Sequence, residues 1–442
     1  MTALVYEKLI CNNKTVSEVD VDVAEILEKE RKRQSETICL IPSENYVSSA
    51  VAAALASPFT NKYSEGYPYL WKNGEREAKN GRYYQGQECT NQIEVLAIER
   101  ALTLFTDTPS LYHANVQPLS GAPANLAVLS ALLSPGDTFM GLSLDDGGHL
   151  THGHKVSITS KLYRAEQYHL NAEGSLDYDA IYELAQKTNP KLIICGATAY
   201  PLTIDFKKFG EIAKSVNALL MADIAHIAGL CVAGVHPHPF PHADVVTSTT
   251  HKSLCGPRSG IIICKKELGQ KIDTAVFPGL QGGPHMNVVA AMAVAFKEAL
   301  EPSFKDYAQQ IVKNAKVLAE ALKVAGFRLI GGKTENHLIL IDVVNSQKDV
   351  SSSNGNEYAA NLEEGGIIAN KNAIPGDAKP WVPSGVRIGT PAVTSLGMKE
   401  KEMEQLASFM IEIAKAKGNK DIFRKIRIQV KEFMQPFLKN RE

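Results

Sequence analysis

Hydrophobic residues follow two different spacings along the middle of the chain. Short apolar runs at 191–195 (KLIIC), 218–223 (ALLMAD) and 244–250 (DVVTSTT) are typical of buried strands. The segment 206–217 (FKKFGEIAKSVN) instead places its apolar residues three and four apart, which predicts an amphipathic helix. Strands joined by helical crossovers lie parallel in one sheet. The pattern therefore predicts an α/β fold with a mostly parallel central sheet.

The pattern changes at both ends of this α/β region. A charged amphipathic helix is predicted over about residues 21–36, ahead of the rest. From about residue 300 the chain shows a long helix (304–325), a strand (HLILIDV, 337–343) and further helices. We therefore expect three units: an N-terminal arm (1–52), a large domain (53–300) and a smaller C-terminal α/β domain (301–442).

Composition and charge exclude several classes of protein. The 442 residues carry a formal net charge of −1, which gives no electrostatic footprint for nucleic acid or an anionic membrane. No apolar run approaches the roughly 20 residues that span a bilayer. The seven cysteines are an odd number and form no CxxC pair, which favours free thiols in a reducing compartment. We expect a soluble cytoplasmic protein with no nucleic-acid or membrane partner.

Polar residues gather where the predicted strands end. Lys252 follows the VVTSTT run and precedes a GPRSG turn, Asp223 and His226 follow ALLMAD, and Thr198 follows KLIIC. Ligands of open parallel sheets bind at the carboxyl ends of the strands. A single lysine in such a position is most often a solvated loop residue. In a dry cleft, however, a lysine acquires a lowered pKa and can condense with a carbonyl group.

Three further features give this set a chemical logic. Ser120 and Gly121 form a turn that opens a long apolar helix, and the N–H groups at a helix N-terminus favour an anion such as phosphate. Paired glycines present His149, whose imidazole could cover a ring. Arg387 lies among small residues and suits a bidentate grip on a carboxylate. Together these groups predict a pyridoxal-phosphate enzyme acting on an amino acid.

The histidines of DDGGHLTHGH (145–154) also permit a metal site. His149, His152 and His154 are close in sequence, but no cysteine or carboxylate cluster with ligand spacing accompanies them. We therefore expect no metal.

Ten motifs, in order along nearly the whole chain, resemble the serine hydroxymethyltransferase family. They are LIPSENY (40–46), TNKYSEGYP (60–68), GRYYQG (81–86), NVQPLSGAPAN (115–125), GGHLTHG (147–153), DIAHIAGL (223–230), VVTSTTHKSLCGPRSG (245–260), FPGLQGGPH (277–285), NKNAIP (370–375) and SGVRIGTPA (384–392). The family interconverts serine and glycine and passes the one-carbon unit to and from tetrahydrofolate. The resemblance implies the fold-type I pyridoxal-phosphate architecture, like that of aspartate aminotransferase. It also implies tetrahydrofolate as co-substrate and a homodimer with shared active sites, with a tetramer left open.

The resemblance assigns cofactor-binding roles to nine residues. On the ring, Lys252 would hold the cofactor covalently, Asp223 would pair with the pyridine nitrogen, His149 would stack on the face, and Thr198 and His226 would contact the phenolic-oxygen side. The phosphate would be held by Ser120, Gly121 and His251, with Gly283 of the partner subunit.

The resemblance also assigns residues to substrate and proton transfer. Arg387 and Ser43 would bind the substrate carboxylate. Glu65 and Tyr63, from the partner chain, would exchange protons with the serine hydroxyl and the folate. Tyr84 and Asn372 fall where the family contacts substrate or folate. The implied catalytic set is Lys252, Glu65, Tyr63 and His251.

Four features depart from the family pattern. Ala122 stands where many relatives have a serine that contacts phosphate, so weaker cofactor binding is expected. Leu119 stands where many have histidine, and Asn91 where an aspartate is usual. Residues 69–80 (YLWKNGEREAKN) are extra, and a polar insertion is most often a tolerated surface loop.

Three other functions are compatible with parts of the sequence pattern. A folate-independent pyridoxal-phosphate aldolase, such as a threonine aldolase, needs no folate site, and Glu65, Tyr84 and Asn372 count against it. A non-catalytic relative is disfavoured because Lys252 and Asp223 are both present. A metal-dependent hydrolase has the least support. The sequence favours serine hydroxymethyltransferase activity.

Overall fold

The computed structural model describes residues 14–377 and 382–438, which alternate between helices and strands. The strands in this part are β1 (Ile38–Cys39), β2 (Leu70–Lys72), β3 (Glu75–Glu77), β4 (Tyr112–Asn115), β5 (Thr138–Leu142), β6 (Arg164–Tyr168), β7 (Leu192–Gly196), β8 (Leu219–Asp223), β9 (Val245–Thr249), β10 (Gly260–Lys265), β11 (Arg328–Leu329), β12 (Leu338–Asp342), β13 (Ile367–Ile368), β14 (Asn370–Asn372) and β15 (Gly385–Gly389). The α-helices are α1 (Val16–Val19), α2 (Val21–Glu36), α3 (Ser49–Leu55), α4 (Glu88–Phe105), α5 (Gly121–Leu132), α6 (Ile158–Leu162), α7 (Tyr178–Thr188), α8 (Phe206–Ser215), α9 (Ala228–Val232), α10 (Gly269–Thr274), α11 (Met286–Ala299), α12 (Pro302–Val324), α13 (Gly355–Glu364), α14 (Pro391–Ser395), α15 (Glu400–Lys415) and α16 (Lys420–Leu438).

A seven-stranded sheet in the order β4-β10-β9-β8-β7-β5-β6 forms the centre of the molecule. Strands β6, β5, β7, β8 and β9 run parallel, while β10 is antiparallel to both β9 and β4. Buried side chains such as Ile193, Met221 and Val246 make the parallel strands apolar on both faces, as helix-covered sheets require. This confirms the predicted α/β class with a mostly parallel central sheet.

The predicted elements match the observed ones to within a few residues. The helix expected at 206–217 is α8, which ends at Ser215, and Asn217 takes a left-handed φ of 54° as the chain turns into β8. The three predicted strands correspond to β7, β8 and β9. In the register, Gly196 pairs with Asp223, and Asp223 pairs with Thr247. The ends of these strands therefore lie side by side at one edge of the sheet.

The C-terminal part has its own sheet and its own core. Strands β11, β12, β15 and β14 form a four-stranded antiparallel sheet in that order. The apolar face of this sheet packs against helices α12 to α16. The core between them contains buried residues such as Tyr358 and Phe423. The end of the expected N-terminal arm joins this core, because β1 pairs in parallel with β13 and both Ile38 and Leu40 are fully buried. The domain boundaries 1–52, 53–300 and 301–442 stay a prediction.

The extra residues 69–80 form a β-hairpin and not a free surface loop. Strands β2 and β3 pair around Asn73 and Gly74, whose φ angles of 50° and 79° suit a two-residue turn of the type that Asn-Gly favours. Tyr69 is buried with 6% exposure, and Trp71 is half-buried. The segment is therefore a surface hairpin whose aromatic base is packed, and its tolerance to change stays a prediction.

Two observations concern membranes and thiols. No helix within residues 14–377 and 382–438 is long and apolar enough to cross a membrane. The cysteines in the same ranges (39, 89, 195, 231, 255 and 264) are free thiols, and Cys11 lies outside them.

Candidate active site

Asp223 ends β8 and is the most firmly held polar group at the sheet edge. Its Oδ2 accepts hydrogen bonds from Asn125 Nδ2 (2.8 Å) and His152 Nε2 (2.9 Å), and its Oδ1 accepts one from the N–H of Ala225 (3.1 Å). Burial alone would raise the pKa of this carboxyl, but the hydrogen bond and charge of His152 lower that pKa well below its usual range. Asp223 is thus a fixed anion able to pair with a protonated ring nitrogen.

The imidazole of His149 lies next to this carboxylate. Its Nδ1 is 2.7 Å from Thr151 Oγ1 and also accepts from the N–H of Thr151, at 3.2 Å. Asn125 Nδ2 donates to the same threonine hydroxyl at 2.8 Å, which leaves the hydroxyl proton for His149. Burial lowers the pKa of His149 to about 4. The ring is therefore neutral near pH 7, with its proton on Nε2, and suits stacking on an aromatic ring.

Lys252 follows β9 in the loop that also contains His251. Asn45 Nδ2 donates to the carbonyl oxygen of Lys252 at 2.8 Å and fixes the backbone there. Burial, helped by the charges of Arg387 and Arg258 and opposed by that of Asp223, lowers the pKa of the Lys252 amine to about 8. A substantial fraction of this amine is therefore neutral, and nucleophilic, near physiological pH.

Arg387 reaches the site from β15 of the C-terminal sheet. Its Nη1 donates to the carbonyl oxygen of Thr198 at 2.5 Å, and its Nε donates to Asn370 Oδ1 at 3.2 Å. Thr198 itself is held because its hydroxyl donates to the carbonyl oxygens of Gly147 and Gly148, both at 3.1 Å. Burial lowers the pKa of Arg387 to about 10, so the guanidinium stays charged. This cation lies close enough to Lys252 and His226 to lower the pKa of both side chains.

His226 follows Asp223 and is fully enclosed. Its Nδ1 lies 3.4 Å from His337 Nε2, and the two rings stack with centroids 5.6 Å apart. Burial, together with the charges of Lys252 and Arg387, lowers the pKa of His226 well below its ordinary value. The imidazole is therefore neutral beside two cations.

The first turn of α5 forms a seat for an anion. Ser120 is the N-cap residue, and its hydroxyl makes no capping bond. A Cβ on Gly121 would lie 2.9 Å from Thr249 Cγ2, so only glycine lets the helix start approach β9 this closely. His251 contributes a buried Nδ1 with no hydrogen-bond partner among the described residues. The N–H groups of a helix start, together with a hydroxyl and an imidazole nitrogen that have no partner in the described part of the chain, suit a phosphate.

A cavity of about 430 Å³ lies beside this seat. Ser43, Asn45, His251 and Arg258 are among the side chains that line it. Burial and the charge of Arg258 lower the pKa of His251 to about 3, so its imidazole is neutral. Ser43 therefore lines the same cavity as His251, one of the residues predicted to hold the phosphate.

A second group of predicted residues lies around Glu65. Its Oε1 accepts from Tyr63 OH at 3.4 Å and its Oε2 from Tyr84 OH at 3.1 Å, and the two tyrosine rings meet edge to face at 5.4 Å. A Cβ on Gly283 would lie 3.2 Å from the ring of Tyr63. Tyr63 is 58% exposed. The carboxylate is thus supported by two phenols on an open surface.

Asn372 is attached to neither group by the contacts in the described part of the chain. It lies on β14, pairs with Gly385 in the neighbouring strand, and donates from Nδ2 to the carbonyl oxygen of Ala373 at 2.6 Å. It shares this small sheet with Arg387, one strand away.

The structure changes one part of the argument about metals. The carboxylate of Asp223 joins His149 and His152, with candidate ligand atoms within 4.8 Å of one another. No carboxylate cluster with ligand spacing stands near these histidines in the sequence, but the fold brings one distant carboxylate, that of Asp223, beside them. The absence of a metal stays a prediction, and the hydrogen bonds of these groups already give each a role in holding Asp223 and His149.

Sequence reasoning did not assign a role to several residues that orient the site. They are Asn125, Thr151 and His152 around Asp223, His337 beside His226, and Asn45 beside Lys252. The signal that could have identified four of them is membership of the family motifs, which contain Asn45, Asn125, Thr151 and His152. His337 carried no such signal.

Two of the departures acquire a physical account. Asn91 Oδ1 accepts from Arg82 Nε at 2.9 Å, while the charge of Arg82 is met by the buried carboxylate of Glu94. An amide at position 91 therefore suffices. Leu119 is 42% exposed, and its N–H donates to Gln281 Oε1 at 3.1 Å, so the turn is held without a histidine side chain.

Known proteins match the chain over almost its whole length. The family model described as serine hydroxymethyltransferase matches residues 16–410. The chain is similar to proteins named serine hydroxymethyltransferase from three bacteria: Acidothermus cellulolyticus (50% identical over 425 residues, 95% of each chain), Sorangium cellulosum (51% over 426 residues, 96% of each) and Desulfotalea psychrophila (52% over 392 residues, 88% of each).

Proposed function

Because the chain belongs to the serine hydroxymethyltransferase family, we propose that it interconverts L-serine plus tetrahydrofolate with glycine plus 5,10-methylenetetrahydrofolate. Membership confirms the predicted fold-type I architecture and the dependence on pyridoxal phosphate and folate. One observation carries the proposal for this chain: a buried amine, a fixed carboxylate and a buried guanidinium converge at the same sheet edge. Pyridoxal phosphate and an amino-acid carboxylate require this combination.

The residues present fit the cofactor. Lys252 would hold it covalently, Asp223 would pair with the ring nitrogen, and the neutral imidazole of His149 would cover one face. The free hydroxyl of Ser120, the α5 N-terminus at Gly121 and the unpaired Nδ1 of His251 would receive the phosphate. When bound, the cofactor supplies an electron sink for the charge that develops at the substrate Cα.

The protein groups would orient the amino acid. Arg387 would bind the substrate carboxylate, and its hydrogen bond to Thr198 links that grip to the loop after β7. Ser43 would add a hydroxyl from the neighbouring cavity wall. The small-domain strand β15 thereby sets the distance between the carboxylate and the amine of Lys252.

Glu65 would handle the proton that moves between the serine hydroxyl and the folate. Tyr63 and Tyr84 hold its two carboxylate oxygens, so its orientation is fixed before substrate arrives. This group would act in the site of a partner subunit together with Gly283, in a homodimer. The exposure of Tyr63, and the surface position of the whole group, support an intersubunit location. Asn372 would contact substrate or folate, and the cytoplasmic location stays a prediction from the sequence.

The experiment is an assay of serine cleavage by the purified protein with pyridoxal phosphate, run with and without tetrahydrofolate. We expect glycine and methylenetetrahydrofolate to form in equal amounts and only slow turnover without folate. A chelator should leave both rates unchanged. Folate-independent cleavage of threonine at the same rate as serine would contradict the proposal and favour an aldolase.

A further inference from the structure

Asp273, in the short helix α10, is a buried carboxylate that receives hydrogen bonds from four side chains. Its Oδ2 accepts from Tyr69 OH (2.9 Å) and Trp71 Nε1 (2.8 Å). Its Oδ1 accepts from Asn115 Nδ2 (2.8 Å) and lies 2.7 Å from His113 Nε2. Within residues 14–377 and 382–438, the imidazole of His113 is its only ion-pair partner. No lysine or arginine there compensates the buried charge.

The four donors come from two separate segments of the chain. Tyr69 and Trp71 belong to the base of the inserted hairpin, residues 69–80, whereas His113 and Asn115 lie on strand β4. Asp273 itself precedes the loop that contains Gly283. One carboxylate therefore fastens the hairpin to the sheet and to that loop.

Tyr67, two residues after Glu65, contacts both the backbone of Asp273 and Asn115, one of the donors to its carboxylate. The hydroxyl of Tyr67 donates to the backbone carbonyl oxygen of Asp273 at 2.7 Å and accepts from Asn115 Nδ2 at 3.0 Å. Two residues earlier, the carbonyl oxygen of Glu65 accepts from the N–H of Tyr83 at 3.1 Å. The backbone before the hairpin, at Glu65, is therefore bonded to the backbone after it, at Tyr83, and Tyr67 connects this region to Asp273.

The loop after α10 is bound to the same residues. The rings of Tyr67 and Tyr83 both pack edge to face on Phe277, with centroids 6.5 and 5.7 Å away. Farther along this loop, Gly283 lies against the ring of Tyr63. A shift of Asp273 would therefore displace Glu65 and its neighbours from two sides.

A buried carboxylate without a lysine or arginine partner is a poor way to gain stability. Such a group stabilises one arrangement over others when every hydrogen bond is satisfied, because any displacement leaves donors unpaired. Burial, and next the charge of Asp273, raise the pKa of Tyr67 and of Tyr69 well above the ordinary value. Both phenols therefore remain protonated donors over the working pH range.

We propose that Asp273 is a positioning residue for the folate-dependent step, and that the inserted hairpin acts through it to hold Glu65 in place. This inference rests on the proposed role of Glu65. It gives the insertion a function that a tolerated surface loop would lack: Tyr69 and Trp71 complete the shell of donors that keeps Asp273 in one position.

The test compares Asp273→Asn and Trp71→Phe with Lys72→Ala as control. Asparagine keeps the shape but turns one acceptor oxygen into a donor that faces two other donors. Lys72 lies on the same hairpin, and among residues 14–377 and 382–438 its side chain makes only a surface ion pair with Glu77, at 3.3 Å. Each variant is assayed for folate-dependent serine turnover and for folate-independent cleavage of β-phenylserine.

We expect Asp273→Asn to lower kcat for the folate-dependent reaction by about 10- to 100-fold, since a displacement of about 1 Å has effects of that size. Cleavage of β-phenylserine and retention of pyridoxal phosphate should change far less. Trp71→Phe should give a smaller loss in the same direction, because one donor of four is removed while the ring stays. Lys72→Ala should match the wild type in both reactions.

Two further measurements separate the possible failures. The chain has two tryptophans, so in a Trp381→Phe background the emission of Trp71 reports on the Asp273 network directly, and Asp273→Asn should shift it. If Asp273→Asn does not fold, the test rests on whether Trp71→Phe selectively loses folate-dependent turnover. Equal losses in both reactions, or unchanged rates, would overturn the positioning role. Glu65→Gln is assayed in parallel. If Glu65→Gln selectively loses folate-dependent turnover and Asp273→Asn does not, only the positioning role of Asp273 is refuted. If Glu65→Gln shows no selective loss, the proposed role of Glu65 is refuted.

Discussion

The lowered pKa of Lys252 makes a quantitative prediction about how the apoenzyme takes up its cofactor. Only the neutral amine can attack an aldehyde. With a pKa of about 8, roughly one tenth of this amine is neutral at pH 7, compared with about one in 3,000 at the ordinary value of 10.5. The buried site should therefore make Lys252 roughly 300 times more available than a solvated lysine at pH 7.

The sign of the pH dependence follows from the direction of the shift. Below about pH 8 the amine is mostly protonated, so covalent uptake of pyridoxal phosphate should rise about tenfold per pH unit. Above about pH 8 it should level off. Arg387→Gln removes a positive charge that opposes protonation, so the midpoint should move up. Asp223→Asn removes a negative charge that favours protonation, so the midpoint should move down.

The assay is short exposure of the apoenzyme to pyridoxal phosphate at each pH, a borohydride quench, and mass spectrometry of the peptide containing Lys252. A free lysine derivative treated in parallel reports the titration of the aldehyde itself. Uptake by the enzyme that keeps rising between pH 9 and 10, as for the free amine, would refute the claim that burial and neighbouring cations set the reactivity. Midpoint shifts of the same sign in both variants would refute the electrostatic account.

Three further predictions concern individual side chains. Lys252→Ala should abolish multiple turnover while far-UV circular dichroism stays unchanged, and borohydride labelling of the wild type at any other lysine would contradict its role. Arg387→Ala should weaken serine binding by about 2–4 kcal/mol in a spectral titration while pyridoxal phosphate stays bound, because a charge-assisted carboxylate contact is lost; an unchanged serine affinity would exclude Arg387 as the carboxylate site. Glu65→Gln should lower folate-dependent serine turnover by about 10²–10⁴-fold, the usual contribution of a general acid or base, with a much smaller loss for β-phenylserine. Equal losses in the two reactions would assign Glu65 a structural role.

Several features could be predicted from the order of residues alone. The pattern of apolar residues located β7, β8, β9 and α8 to within a few positions. A strand buried on both faces shows a continuous apolar run, and a helix buried on one face shows apolar residues three and four apart. The polar residues that follow these strands then had to lie at a common edge, since parallel strands place their carboxyl ends together. Lys252 and Asp223 could be singled out for this reason.

Only the tertiary structure decided which groups face one another. Asp223 is held by Asn125, 98 residues away, and by His152, 71 residues away, and no local pattern encodes either pairing. The same holds for Trp71 and Asp273, 202 residues apart, whose hydrogen bond attaches the hairpin of the predicted surface insertion to the large sheet's surroundings. Hydrophobic spacing records that a residue is buried but not what it contacts, and hydrogen-bond partners, lowered pKa values and shared cavities all depend on that contact.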